Sequence, residues 1–183
     1  PMDILDLMIH GKILQEDVTI PEGLSSQRIA KILEKKGVVP ARSFLNAVRD
    51  PALLEELEID AESFEGYLFP ATYSFPRKAP PDKIIKQMVN EFKSRFSSKW
   101  LEQADQMGMT QQEVIILASI IDKEILADSE GPLVSAVFHN RLKLGMRLQS
   151  DPTVIYGIKD FNGDLTRKDL MTYTPYNTYR ING

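Results

Sequence analysis

The stretch TQQEVIILASIIDKEILADSEGPLVSAVFHNRLKLGMRLQSDPTVIYG, residues 110–157, limits the fold more than any other part of the chain. Thr110 and Glu113 stand at the spacing of a capping box and mark a helix start. From Val114 to Ile121 the run VIILASII carries no charge, and its only polar member is Ser119. A helix apolar on every side is expected in a core. Asp122, Lys123 and Glu124 then follow in consecutive positions.

Successive helical residues lie about 100° apart. Asp122 therefore shares a face with Ile115, Ala118, Ser119 and Leu126, whereas Glu124 shares one with Leu117, Ile120 and Ala127. The two carboxylates point to nearly opposite sides and are not expected to act in one cleft. A carboxyl on a mostly apolar face is costly to ionise and so suits a general acid. The plainer reading ends the helix here and lets its charges emerge into solvent.

The rest of the chain narrows the class. Its 183 residues suffice for one good core, or for a core plus a small lobe. A net charge of −4, without a basic stripe bearing interleaved aromatics, gives no reason to expect nucleic acid. Cysteine is absent, which excludes disulfides and thiolate chemistry. The histidines, His10 and His139, are far apart and no HExxH occurs, so neither a metal site nor a cofactor is expected. No apolar stretch approaches the ~20 residues that span a bilayer. The opening Pro1-Met2 and the close at Gly183 suggest a piece of something longer.

Taken in order, residues 2–11 read as a short helix and VTIPEG (18–23) as a strand ending in a turn. Ser25 or Ser26 is placed to cap a helix with Ile29, Ile32 and Leu33 on one stripe and Gly37 at its end. Short helices are expected at 41–49 and 51–58, giving a small α+β lobe. In FEGYLFPATYS (64–74), Phe64, Tyr67, Phe69 and Tyr73 crowd together beside Glu65, and Pro70 confines any strand to an edge. Clustered aromatics fit a core first, and a sugar platform second. A helix follows from Pro81 with Ile84, Ile85, Met88, Val89 and Phe92 in register, and a second piece carries Trp100, Leu101 and Ala104 back toward the core. Pro132 opens another helix, with Leu133, Val134, Val137 and Phe138 facing inward and Gly145 as its stop. Arg141 near its end complements the helix dipole. Asp151-Pro152 reads as an N-cap and first helical residue. Thr166 and Asp169 form a weak capping box, and TPYNTYRING closes the chain as a polar, aromatic loop. The fold class is α+β, predominantly helical.

Five pieces together resemble the endolytic murein transglycosylases, or YceG-like proteins. They are VTIPEG at 18–23, EGYLFPATY at 65–73, ILASIIDKE at 116–124, VFHNRLKLGMRLQSDPTVIYG at 137–157 and PYNTY at 175–179. The resemblance implies a helical catalytic domain at 61–183 and, at 1–60, the remainder of a small LysM-like α/β lobe. It also implies a bacterial inner-membrane protein with an N-terminal anchor and an extracytoplasmic catalytic part. Its substrate would be peptidoglycan glycan strands, and its partners peptidoglycan synthases of the elongation or division machinery.

Members of this family cut between N-acetylmuramic acid and N-acetylglucosamine and leave a 1,6-anhydromuramyl end, using one acidic residue. Carried over by motif, the catalytic glutamate falls on Asp122. Aspartate is one methylene shorter and withdraws the carboxyl by about 1 Å, a misplacement that can cost roughly 100-fold. Ala71 is a second departure, since the family has an acid there. Glu65, Tyr67, Gln149, Ser150, Asp151, Tyr156, Tyr176 and Asn177 are placed in the cleft wall by motif. Two readings compete with a transglycosylase, while a third, a small-molecule enzyme, has little behind it because no phosphate loop or dinucleotide fingerprint occurs. One is a weakened or inactive peptidoglycan-binding domain, with Asp122 in place of glutamate. The other is a hydrolase pairing Asp122 with Glu65 or Asp151.

Overall fold

The computed structural model describes residues 15–159 and 161–182. The helix expected at 2–11 lies outside them. The chain divides into two compact units, residues 1–112 and 113–183. Position 60 falls inside the first, where strands from either side of it pair.

In the first unit, β1 (Gln15–Thr19) and β2 (Thr72–Pro76) form a two-stranded antiparallel sheet with Val18 opposite Tyr73. Alternation decides which face is buried: Val18, Tyr73 and Phe75 point inward while their neighbours stay accessible. β2 begins two residues after Pro70, the residue barred from a ladder interior. Helix α1 (Ser26–Lys35) buries Ile29, Ala30 and Leu33, and Gly37 ends it at φ 69°, a conformation that disfavours a Cβ. Two shorter helices follow, α2 (Ala41–Ala47) and α3 (Pro51–Glu56), the latter capped where Asp50 Oδ1 accepts the Ala52 N–H at 3.0 Å.

The core of this unit lies against α4 (Pro81–Arg95), whose Ile84, Ile85, Met88, Val89 and Phe92 are buried at helical spacing. Each such side chain contributes roughly 1.5–3 kcal/mol by leaving water. Phe64, Tyr67, Tyr73 and Phe75 join the core, and the Tyr67 ring meets Phe92 edge-on at 5.2 Å. The aromatic cluster is therefore core. The next helix, α5 (Ser98–Gln106), corrects an expectation. Ala104 is buried, but Trp100 and Leu101 are exposed, and Trp100 meets the Phe96 ring edge-on at 5.6 Å.

The second unit contains most of α6 (Gln111–Glu124), a 3-10 turn (Asp128–Glu130), α7 (Gly131–Lys143), α8 (Asp151–Tyr156) and α9 (Arg167–Met171). Three expectations fail here. α6 is not buried all round: Leu117 and Ile120 are buried, while Ile116 is 48% exposed and Ala118 and Ser119 are open. Hydrophobicity without a period gives no face, and so it did not say how many sides would find partners. On α7 only Phe138 is buried, while Leu133 and Val137 are exposed. At α8 the N-cap is Ser150, with Asp151 in the first turn, one residue earlier than expected. The Thr166–Asp169 capping box is present in both directions, and Gly145 follows α7 at φ 64°. The fold is α+β and predominantly helical, with one two-stranded sheet among the described residues.

Candidate active site

Leu117, Ile120 and Glu124 stand at i, i+3 and i+7 on one stripe of α6, and the first two are its buried residues. Glu124, the last residue of the helix, continues that stripe to a position that is itself exposed. Its Oε1 accepts a hydrogen bond from Ser150 Oγ. Among the described residues no hydrogen bond engages Oε2. Glu124 lines a cleft of ≈ 250 Å³ with Val134, Val137, Phe138, Arg141 and Gln149. The four α7 residues fall at i, i+3, i+4 and i+7, so one helix stripe forms that wall. Among the described residues, Glu124 is the single carboxylate and Arg141 the single cation of the lining. The guanidinium is steadied by donating through Nη1 to the Leu148 carbonyl.

The opposite wall is held by backbone and hydroxyls. Gln149 sits at φ 52°, a left-handed conformation that costs a residue with a Cβ. Its N–H donates to the Thr178 carbonyl at 3.2 Å. Ser150 is 1% exposed, and its N–H donates to Thr178 Oγ1 at 3.0 Å. Thr153 Oγ1 donates to the Ser150 carbonyl at 2.6 Å and lies 2.8 Å from Thr178 Oγ1. Two bonds fasten the tail alongside: Tyr179 donates to Asp151 Oδ1 at 2.7 Å, and Arg147 Nη1 donates to the Tyr179 carbonyl at 3.0 Å. The hydrogen bond to Asp151, seconded by burial, pushes the Tyr179 phenol up to about 12.

The residues expected in the cleft wall divide into three groups. Gln149 and Ser150 stand at the cleft, the first as lining and the second behind Glu124. Tyr156 and Tyr176 form a half-exposed edge-to-face pair at 4.9 Å and 85°, and Asp151 is held by Tyr179. Glu65, Tyr67 and Asn177 bond the protein's own groups. Glu65 accepts the Ser26 N–H and hydroxyl at the start of α1, where Ser25 makes no side-chain cap. Tyr67 is buried and donates to Gln112 Oε1 at 2.7 Å; burial, with Asp60 nearby, raises its phenol. Asn177 is buried with its amide spent on backbone groups.

Asp122 is set differently from Glu124. Both are exposed, but Asp122 pairs with Lys123 Nζ at 3.0 Å and is not in the cleft lining. The apolar surroundings expected of it belong to the other face of the helix. The motif carries the acid onto Asp122 instead of Glu124, and nothing in it marks Thr153, Thr178 or Tyr179. The stripe that Glu124 shares with Leu117 and Ile120 was legible, but not that this stripe is the one with buried residues. The hydroxyls gave no signal, because the links that join the segments, Thr153 to Thr178 and Tyr179 to Asp151, span 25 or more residues.

These features define a predominantly helical α+β protein whose cleft is built around one helix-borne carboxyl group. The chain belongs to the YceG-like family, whose model matches residues 1–183. It is similar to the endolytic murein transglycosylase of Bacillus subtilis (strain 168), 28% identical over 182 residues that cover 91% of this chain and 50% of the relative. The endolytic murein transglycosylase of Streptococcus pneumoniae serotype 2 is also 28% identical, over 89% of this chain and 34% of its own length. The chain thus spans between a third and a half of these relatives. A crystal structure of a YceG-like protein from Listeria monocytogenes superimposes with a TM-score of 0.82 at 29% identity, covering 100% of this chain and 65% of that one.

Proposed function

We propose that this chain acts on peptidoglycan as the catalytic part of an endolytic murein transglycosylase, with Glu124 as its acid. One observation carries the choice: among the described residues Glu124 is the carboxyl that lines the cleft, held on one oxygen by Ser150 with no hydrogen bond to the other. The family membership and the names of the relatives support the substrate.

The chemistry requires one carboxyl in two roles. Protonated, Glu124 donates to the glycosidic oxygen as the bond between C1 of N-acetylmuramic acid and that oxygen breaks through an oxocarbenium-like state. The N-acetylglucosamine hydroxyl leaves with the proton. The same carboxylate then takes the proton of the muramyl C6 hydroxyl, whose oxygen closes on C1 to form the anhydro ring. No water is consumed, and the acid is restored. A lone carboxylate in the lining supports this scheme over a hydrolase that needs two.

In this reading the half-exposed Asp122, paired with Lys123, is not the proton donor, and its shorter side chain is no handicap. The protein works on the extracytoplasmic face of the bacterial inner membrane, beside the synthases that supply its strands.

The test is digestion of peptide-stripped glycan strands by the parent chain and by Glu124→Gln and Asp122→Asn, with products read by mass spectrometry. Expected are anhydro-ended fragments from the parent and Asp122→Asn, and none from Glu124→Gln. Loss in Asp122→Asn with retention in Glu124→Gln would return the role to Asp122. Reducing ends would replace the lyase with a hydrolase. Binding without cleavage by the parent would leave a peptidoglycan-binding domain.

A further inference from the structure

We infer that Ser150 is a positioning residue for Glu124, held in its working rotamer by a buried hydroxyl cluster that ties the PYNTY segment to the acid. The inference rests on Glu124 being the acid and assigns Ser150 a role other than touching sugar.

Three observations carry it. First, Ser150 occupies the N-cap of α8, where a serine hydroxyl ordinarily accepts a hydrogen bond from the helix start. Here it makes no such bond and donates to Glu124 Oε1 instead. Secondly, a residue 1% exposed cannot present its side chain to a polymer, yet its hydroxyl reaches a carboxyl that lines an open cleft. Thirdly, the backbone around it is fixed from both sides. Thr178 Oγ1 takes the Ser150 N–H at 3.0 Å, Thr153 Oγ1 donates to its carbonyl at 2.6 Å, and Gln149 is held left-handed by the Thr178 carbonyl. A strained residue beside a fully bonded one marks a position that its surroundings over-determine.

The consequence is geometric. With Oε1 fixed as acceptor, the transferable proton resides on Oε2, the oxygen that no described residue engages. Freed from Ser150, the carboxyl can turn about its terminal torsion, which is broad for glutamate. Proton transfer then requires an alignment that is rarely met, while the lining that binds glycan is unchanged.

Ser150→Ala and Ser150→Cys separate this role from a structural one, with Glu124→Gln run beside them on peptide-stripped glycan strands. For Ser150→Ala the expected result is kcat lowered roughly 10- to 100-fold, with KM within about twofold of the parent. Ser150→Cys, which fills the same space with a weak donor, should fall between the two. Amide exchange at Thr178 and Tyr179 monitors the fold, and if Ser150→Ala loosens the segment the cysteine variant alone carries the test. The inference is overturned if kcat stays within about threefold of the parent, or if the loss appears in KM. Should Glu124→Gln abolish cleavage while Ser150→Ala spares it, the positioning role falls and the acid stands. Should Glu124→Gln keep its activity, both fall.

Discussion

Replacing Asn177 by alanine tests how the tail is held. The side chain is 0% exposed, and its Nδ2 donates to the carbonyls of Leu170 at 3.1 Å and Thr172 at 2.6 Å, while its Oδ1 accepts the Tyr179 N–H at 2.9 Å. A fourth contact, to the Asp169 carbonyl at 3.4 Å, is at the limit of a hydrogen bond. Each of the three firm bonds contributes about 1 kcal/mol net, so the segment should lose about 3 kcal/mol. At 1.4 kcal/mol per decade that is roughly a 100-fold rise in local opening. Trp100, the only tryptophan, belongs to the first unit, so its fluorescence would not report this change. The assay is hydrogen exchange resolved at the Thr178 and Tyr179 amides. Asn177→Asp keeps an acceptor for Tyr179 but turns a carboxylate toward carbonyl oxygens, and should exchange at least as fast as Asn177→Ala. Acceleration of less than about threefold in both variants would refute the reasoning, because the buried amide would then not be what fixes the loop.

In the first unit, Met88→Ala on α4 removes a side chain with no exposure and should cost about 2–5 kcal/mol, read as a lower denaturation midpoint by Trp100 fluorescence. An unchanged midpoint would mean that the core is looser than its packing. At high pH the sign follows from the tyrosines. Burial, with Glu91 secondary, pushes the Tyr73 phenol up to about 12, and the bond to Asp151 does the same for Tyr179. The folded state thus prefers the protonated phenol, and its contribution is complete below about 10 and lost as pH rises through about 12. Tyr73→Phe should make alkaline unfolding over that window shallower, and an identical slope would count against the assignment. Finally, Tyr156→Ala should remove one half of the exposed ring pair and raise KM for glycan about fivefold, equivalent to roughly 1 kcal/mol, with kcat little changed. A loss confined to kcat would place Tyr156 elsewhere in the cycle.

The sequence by itself determined the local elements and their faces. Helical spacing from Ile84 to Phe92 marked the stripe that α4 buries, Pro70 set the edge of β2, and Thr166 with Asp169 marked the start of α9. These signals are short-range: periodicity, proline and reciprocal caps act within one or two turns. The opposition of Asp122 and Glu124 was legible for the same reason. Which of them faces the cleft was not, because a wheel gives relative angles and says nothing of which side finds a partner. The apolar run VIILASII hid its true inward stripe, since hydrophobicity without a period points nowhere. Tertiary structure decided that stripe, and with it the link from Glu124 to Ser150 across 26 residues. It also decided which of the protein's own groups Glu65, Tyr67 and Asn177 bond, polar residues that motif position alone places in the cleft wall. A polar side chain in a folded chain bonds whatever donor or acceptor the fold brings within about 3 Å, and that neighbour is set by packing.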